Sequence, residues 1–165
     1  MITPAQLPPD LVAILTPRLA DEYKAFYYYR NASNWCANVG FAIAAKYFAK
    51  ESEDELTHAK RIEDFLVDWN VQPALPAGGS SQQFTALTEI IDGAYTIERE
   101  LYIAYNNAST KALATSPAVF NFLAPFTEIQ TASVAEYSDM LNKLKGVDIT
   151  SKFELLALEE SIFGK

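Results

Sequence analysis

Val71-Gln72-Pro73-Ala74-Leu75-Pro76-Ala77-Gly78-Gly79-Ser80-Ser81-Gln82 is the clearest linker in a chain that otherwise reads as helical nearly throughout. Its prolines and glycines break periodic structure, and its length decides the fold. A helix of about 28 residues is roughly 42 Å long at ~1.5 Å per residue. About twelve extended residues span roughly 40 Å. This linker can therefore run the length of a helix and start the next one parallel to the last, which a two-residue turn could not do.

Before the linker lie two helical patterns. Pro8-Pro9-Asp10 opens the first, because proline is tolerated at or before the first turn. Its apolar seam runs Leu15, Leu19, Glu22, Phe26, Tyr29, Ser33, in steps of three and four. Pro17 lies inside this run. It either kinks the helix, the reading we favour, or starts its main part with Thr16 as N-cap. The pattern breaks at Asn38-Val39-Gly40, a short turn that leaves the next helix antiparallel. That second helix is expected from about Phe41 to Asn70, with Phe48, Glu55, Ala59, Ile62, Leu66 and Trp69 on its seam.

After the linker, a third helix from about Phe84 to Ala114 carries Ala94, Ile97, Glu98, Leu101, Tyr105 and Ala108. Ser116 and Pro117 start a fourth, as N-cap and first residue. Its seam holds Phe122, Phe126, Ile129, Gln130, Ser133, Tyr137, Leu141 and Leu144, Pro125 is expected to bend it, and Gly146 reads as its C-cap. A short fifth helix, about Ser151 to Phe163, is apolar at Phe153, Leu155, Leu156, Leu158, Ile162 and Phe163. So apolar a segment implies a partner subunit. Four amphipathic helices with one long crossover between the second and third, plus a short fifth, describe an all-α four-helix bundle. Residues 1–165 form a single expected domain.

Net charge is −8 and the pI is near 4.6, which argues against a nucleic-acid partner and favours attraction of cations. The lone Cys36 forms no intrachain disulfide and fits a reducing cytoplasm. It reads as a small buried apolar residue. Neither a signal peptide nor a membrane span is expected from the pattern.

Seam positions should be apolar unless they serve a function. Here each helix breaks the rule: Glu22 on the first, Glu55 and His58 on the second, Glu98 on the third, Gln130 and Ser133 on the fourth. Glu55 and His58 stand three residues apart, so both reach one face of a helix. A carboxylate with an imidazole is a sound half-site for a transition metal. Singly, each has an ordinary explanation. Glu22 could be a solvated residue, His58 could face Asp54, Glu100 competes with Glu98, and Glu128 with Gln130. Tyr29 and Tyr105 read as core aromatics whose hydroxyls need partners. Together, three Glu, one His and one Gln at comparable depth read as a dinuclear metal site, since buried carboxylates repel unless cations neutralise them.

Glu22, Tyr29, Glu55-x-x-His58, Glu98 and Gln130, with Trp35-Cys36 and Gly40-Phe41, resemble a ferritin of the haem-free bacterial type with an H-type ferroxidase centre. The resemblance spans essentially the whole chain. It implies that Glu22, Glu55 and His58 hold a first iron, and that Glu55 bridges to a second held by Glu98, with Gln130 as ligand or hydrogen-bond partner. Tyr29 would hydrogen-bond beside the centre and give an electron. The implied reaction is oxidation of Fe(II) by O2 or H2O2, with ferric mineral stored in a cytoplasmic shell of 24 subunits.

Where bacterioferritin and rubrerythrin-like proteins carry a second Glu-x-x-His, this chain has Gln130 and Ser133, so the site is asymmetric. Positions that hold a third iron in bacterial ferritins are here Asp54, Ile129, Ala132 and Ser133. Thr57 and Lys60 stand where mineral-nucleating carboxylates would be expected, and Lys111 replaces an acidic inlet. A di-iron oxidase acting on an organic substrate, or a non-catalytic shell subunit, are the alternatives. The missing second Glu-x-x-His speaks against the first, and Glu22 and Glu98 beside His58 against the second.

Overall fold

The computed structural model describes residues 1–164 and contains five helices. They are α1 (Pro9–Val39), α2 (Ala42–Asp68), α3 (Leu87–Thr115), α4 (Pro117–Leu144) and α5 (Lys152–Phe163). Each boundary has a local cause. Pro9 sits in the first turn of α1, where a missing N–H costs nothing. Gly40 ends α1 in the left-handed region at φ 93°, and Cys36 O accepts from both Gly40 N and Phe41 N. The helix runs unbroken through Pro17, so Thr16 is not a cap. Its hydroxyl donates to Val12 O instead.

Ser116 caps α4 by accepting from Val119 N, and Ser151 caps α5 by accepting from Glu154 N. Two sequence expectations fail at ends. The second helix stops at Asp68 and uses Asn70 at φ 57° as its left-handed terminator, a role asparagine fills more readily than most residues. The fourth helix ends on Lys145 in a right-handed conformation, and among the described residues Gly40 is the glycine with positive φ, so Gly146 is not a left-handed cap.

Side-chain bonds fix the helix directions. Tyr23 of α1 donates to Glu63 of α2, and Ser33 to Ala45 O, so these helices run antiparallel. Tyr105 of α3 donates to Glu22, and Tyr29 to Glu98, so α3 is antiparallel to α1 and parallel to α2. The crossover lies along α1. Asn31 Nδ2 donates to Ser80 O at 3.4 Å, and a Cβ on Gly79 would stand 2.2 Å from the Tyr27 ring. Only glycine permits that approach.

The core runs down the bundle through Leu15, Leu19, Phe48, Ile62, Leu66, Ile90, Ile91, Leu123 and Phe126, all fully buried. Truncating such a leucine or isoleucine to alanine costs about 2–5 kcal/mol. Phe26 proves only half-buried; Ala25 takes the inward place, because a small residue lets α1 approach its neighbours. The N-terminus of α2 has no side-chain cap of its own. Glu159 of α5 supplies one, accepting from Ile43 N and Ala44 N at 2.8 Å each. Carboxylate at a helix N-terminus is stabilising, so α5 is tied to the bundle by a polar contact as well as by Leu155, Ile162 and Phe163. Phe153 remains 80% exposed. Among the described residues no helix is long and apolar enough to cross a membrane.

Candidate metal centre

Each of the four long helices buries a polar seam residue. Glu22 on α1, Glu55 on α2, Glu98 on α3 and Gln130 on α4 are all buried. His58, one turn after Glu55, is half-buried. Its Nδ1 lies 2.9 Å from Glu55 Oε2 and 3.5 Å from Glu22 Oε2, and not beside Asp54, which pairs with Lys50. One ligand atom from each of Glu22, Glu55 and His58 lies within 4.8 Å of the others, a spacing that fits a single metal ion. Glu98 belongs to the same buried charge cluster, but its partner is Tyr29, which donates to Oε1. The competing acids are outside: Glu100 is exposed and reaches Lys24 at 3.5 Å, and Glu128 is exposed.

Among the described residues no lysine or arginine pairs with Glu22, Glu55 or Glu98. Burial holds the Glu55 carboxyl well above its usual range, and the facing Glu22 pushes the same way. Burial lifts Glu98 to about 8, against the Tyr29 hydrogen bond, which pulls it down. Glu22 Oε2, Glu98 Oε2 and both amide atoms of Gln130 are buried without a partner. Orphaned buried acceptors are costly. Carboxylate oxygens beside an imidazole are donors that suit iron.

The tyrosines lock this arrangement. Tyr29 stands seven residues after Glu22, and Tyr105 seven after Glu98, and each donates across to the carboxylate on the other helix. Phe126 stacks on Tyr105 at 5.1 Å and meets the His58 ring edge-on at 5.9 Å, closing that side with hydrocarbon. Glu22, Tyr29, Glu55, His58 and Glu98 are thus brought together by direct contacts. Gln130 is buried on α4 and makes no hydrogen bond to them.

With the geometry in place, comparison with known proteins is decisive. The sequence profile of the Ferritin-like domain family matches residues 12–147. The chain belongs to this family. Bacterial non-heme ferritin from Escherichia coli O6:H1 is 24% identical over 140 residues, covering 84% of this chain and 85% of that one. The Shigella flexneri bacterial non-heme ferritin gives the same 24% over 140 residues. Among solved structures, a humanized archaeal ferritin superposes with a TM-score of 0.87 at 18% identity, covering 97% of this chain and 99% of its own. An open-pore ferritin from Archaeoglobus fulgidus gives 0.86 at 19%, covering 96% and 98%. A ferritin of the green alga Ulva pertusa gives 0.88 at 18%, covering 98% and 88%. These structural likenesses establish the ferritin-like fold. Iron storage is the general function of ferritins, and ferritins are generally ferroxidases.

In this ferritin-like chain a second polar group adjoins the centre. Tyr137 donates to Glu51 at 3.3 Å, and Tyr47 to Glu136 at 2.9 Å. Burial, with Glu136 next, raises Glu51 to about 7. The sequence reading passed over Glu51, although it sits one turn before Glu55 on the same stripe. A carboxylate four residues from a ligand candidate faces the same way on a helix.

Proposed function

We propose that this protein is a ferroxidase and iron store, a single cytoplasmic domain over residues 1–165 that assembles into a hollow shell of 24 copies. Fe(II) is its substrate. Glu22, Glu55 and His58 take one ion; Glu55 bridges to a second held by Glu98, with Gln130 as ligand or hydrogen-bond partner. No haem takes part. The observation that carries this reading is the cluster of Glu22, Glu55 and His58 with the buried Glu98 adjoining, its orphaned carboxylate oxygens, and no lysine or arginine paired to it among the described residues. Such a cluster attracts divalent cations, and an anionic oxygen set favours Fe(III) over Fe(II), which drives oxidation.

Two Fe(II) give two electrons, and one O2 with two protons accepts them to become H2O2. H2O2 can accept a further pair in the same way. The chain's own part is to bind, orient and move protons. Burial favours the protonated forms of Glu55 and Glu98, so cation binding displaces protons there, and the Tyr29 and Tyr105 hydroxyls keep the free oxygens of Glu98 and Glu22 turned inward. The exposed Phe153 and Leu156 of α5 support burial against neighbouring copies. The test adds Fe(II) in air to metal-free protein, counts irons oxidised per subunit and sizes the particle by gel filtration. Fast oxidation of about two irons per subunit, the capacity of a two-metal site, followed by many more in a large particle is expected. A small particle that stops at two sinks the storage reading.

A further inference from the structure

Tyr29 and Tyr105 are the two phenols in contact with the centre's carboxylates, and their ring neighbours differ. Tyr105 stacks on Phe126, which cannot be oxidised at accessible potentials. Tyr29 meets Phe48, Tyr28 and Tyr137. Losing an electron makes a phenol strongly acidic, so a buried tyrosine is oxidised readily only where a base can take its proton. Tyr28 fails this condition, since its hydroxyl donates to the backbone carbonyl of Ile90. Tyr137 meets it, with Glu51 as acceptor. Tyr137 is fully buried, its ring stacked on Tyr29 with centroids 6.2 Å apart and planes 8° from parallel. The next ring is Tyr47, 6.3 Å from Tyr137, half-buried, and again paired with a carboxylate, Glu136.

Three phenols on three helices therefore stand in ring-to-ring sequence, each with its own carboxylate: Tyr29 with Glu98, Tyr137 with Glu51, Tyr47 with Glu136. Core packing alone does not require this, since phenylalanine would fill the same volume without burying a hydroxyl. We propose that Tyr137 and Tyr47 extend Tyr29 into a relay that carries an oxidising equivalent from the metal centre to the protein surface.

The relay rests on the ferroxidase reading, which supplies the oxidant as O2 or H2O2. In the first step Tyr29 gives one electron to the partly reduced oxidant and its phenolic proton to Glu98. Tyr137 then gives an electron to the Tyr29 radical and its proton to Glu51, while Glu98 returns the proton to Tyr29. Tyr47 repeats the exchange with Tyr137, using Glu136 and Glu51. At the surface, Fe(II) reduces the Tyr47 radical and becomes Fe(III), and Glu136 returns the last proton. The net change is one electron from surface Fe(II) to oxidant at the centre, with every phenol restored. Each of the three hydroxyls donates to its carboxylate, so the electron and proton leave together.

The test loads metal-free protein with Fe(II), mixes it with O2, freezes it at intervals and follows tyrosyl radical by electron paramagnetic resonance. Wild type, Tyr137→Phe, Tyr47→Phe and Glu51→Gln are compared, with circular dichroism as the check on folding. In wild type the radical should be brief and shortened by extra Fe(II). With Tyr137→Phe it should stay on Tyr29, outlast wild type by an order of magnitude or more, and ignore extra Fe(II). Tyr47→Phe should trap it one ring further on, with a changed hyperfine pattern. Glu51→Gln keeps both rings and should lengthen the lifetime as Tyr137→Phe does, which guards against misfolding of that variant. Iron oxidation with radical yield and decay equal in all four proteins, or with no radical in any, overturns the relay and leaves the ferroxidase reading standing. Absence of iron oxidation in wild type removes both.

Discussion

The α1–α3 and α2–α4 helix pairs of the bundle are built on different plans. On α1 and α3 the same phrase occurs twice, a glutamate with a tyrosine seven residues later, and the antiparallel register crosses them so that Tyr29 bonds Glu98 and Tyr105 bonds Glu22. On α2 and α4 the match fails: Glu55-x-x-His58 has as its counterpart Gln130-x-x-Ser133. The first pair is a near-symmetric clamp that sets where carboxylates point. The second makes the two ends of the site chemically unequal, because one has an imidazole and the other an amide. A bundle can thus hold geometry constant with one helix pair and vary reactivity with the other.

The largest expected effect breaks the unequal pair. Glu55 touches His58 directly and is the one carboxylate assigned to both ions. Glu55→Ala should slow fast iron oxidation by more than about 100-fold, beyond the 10–100-fold typical of losing an outer-shell partner, while gel filtration shows the assembly unchanged. Gln130→Ala should cost no more than about tenfold, the low end of that range, because an amide is a weak ligand. Equal losses in stopped-flow oxidation would refute the inequality of α2 and α4.

The clamp is tested next. Tyr29→Phe leaves Glu98 without a donor, and Tyr105→Phe does the same to Glu22. Each should weaken Co(II) binding roughly 10–100-fold, Tyr105→Phe at the position shared by Glu22, Glu55 and His58, and Tyr29→Phe at the other. The two losses should add when combined, since each hydroxyl serves a different carboxylate. If either variant weakens both positions alike, the clamp acts through packing and not through its hydrogen bonds.

Much of this was legible in the sequence because it rests on periodicity. The crossover length set α3 parallel to α2, and seam spacing found Glu22, Glu55, His58 and Glu98. Helix ends were harder. The choice between Asn70, Gly146 and Lys145 as terminators depends on what the following loop must reach, which spacing does not encode. Phe26 and Ala25 exchanged places because adjacent residues on a helix both lie near the seam, and close packing selects the smaller. Tyr105's need for a partner was readable, but its identity was not, since Glu22 lies on a different helix. Glu51 was hidden by acidity itself: in Glu51-Ser52-Glu53-Asp54-Glu55, four carboxylates share five positions and only the fold separates the buried from the solvated.

The smallest effect concerns the cost of assembling these carboxylates without metal. Glu98 is raised to about 8, Glu51 to about 7, and Glu55 is raised as well, each mainly by burial. The folded state therefore holds protons that the unfolded chain releases near pH 4.5, the ordinary glutamate value. Stability falls with pH wherever the folded state binds more protons. The contribution of these groups is complete below the unfolded value and is lost as pH rises through the folded one. Metal-free protein should melt lower by on the order of 5 °C between about pH 5 and about pH 9, the scale expected for a chain of this size when one or two kcal/mol are lost. Glu98→Gln, which cannot ionise, should flatten that slope, and Co(II) at the upper pH should restore the melting temperature by supplying the missing positive charge. Glu100→Gln, on the exposed side of the same helix, should leave the slope as it is. A slope that survives Glu98→Gln unchanged would mean that the burden of buried charge falls on α2 alone, and that the two helix pairs are unequal in stability as well as in chemistry.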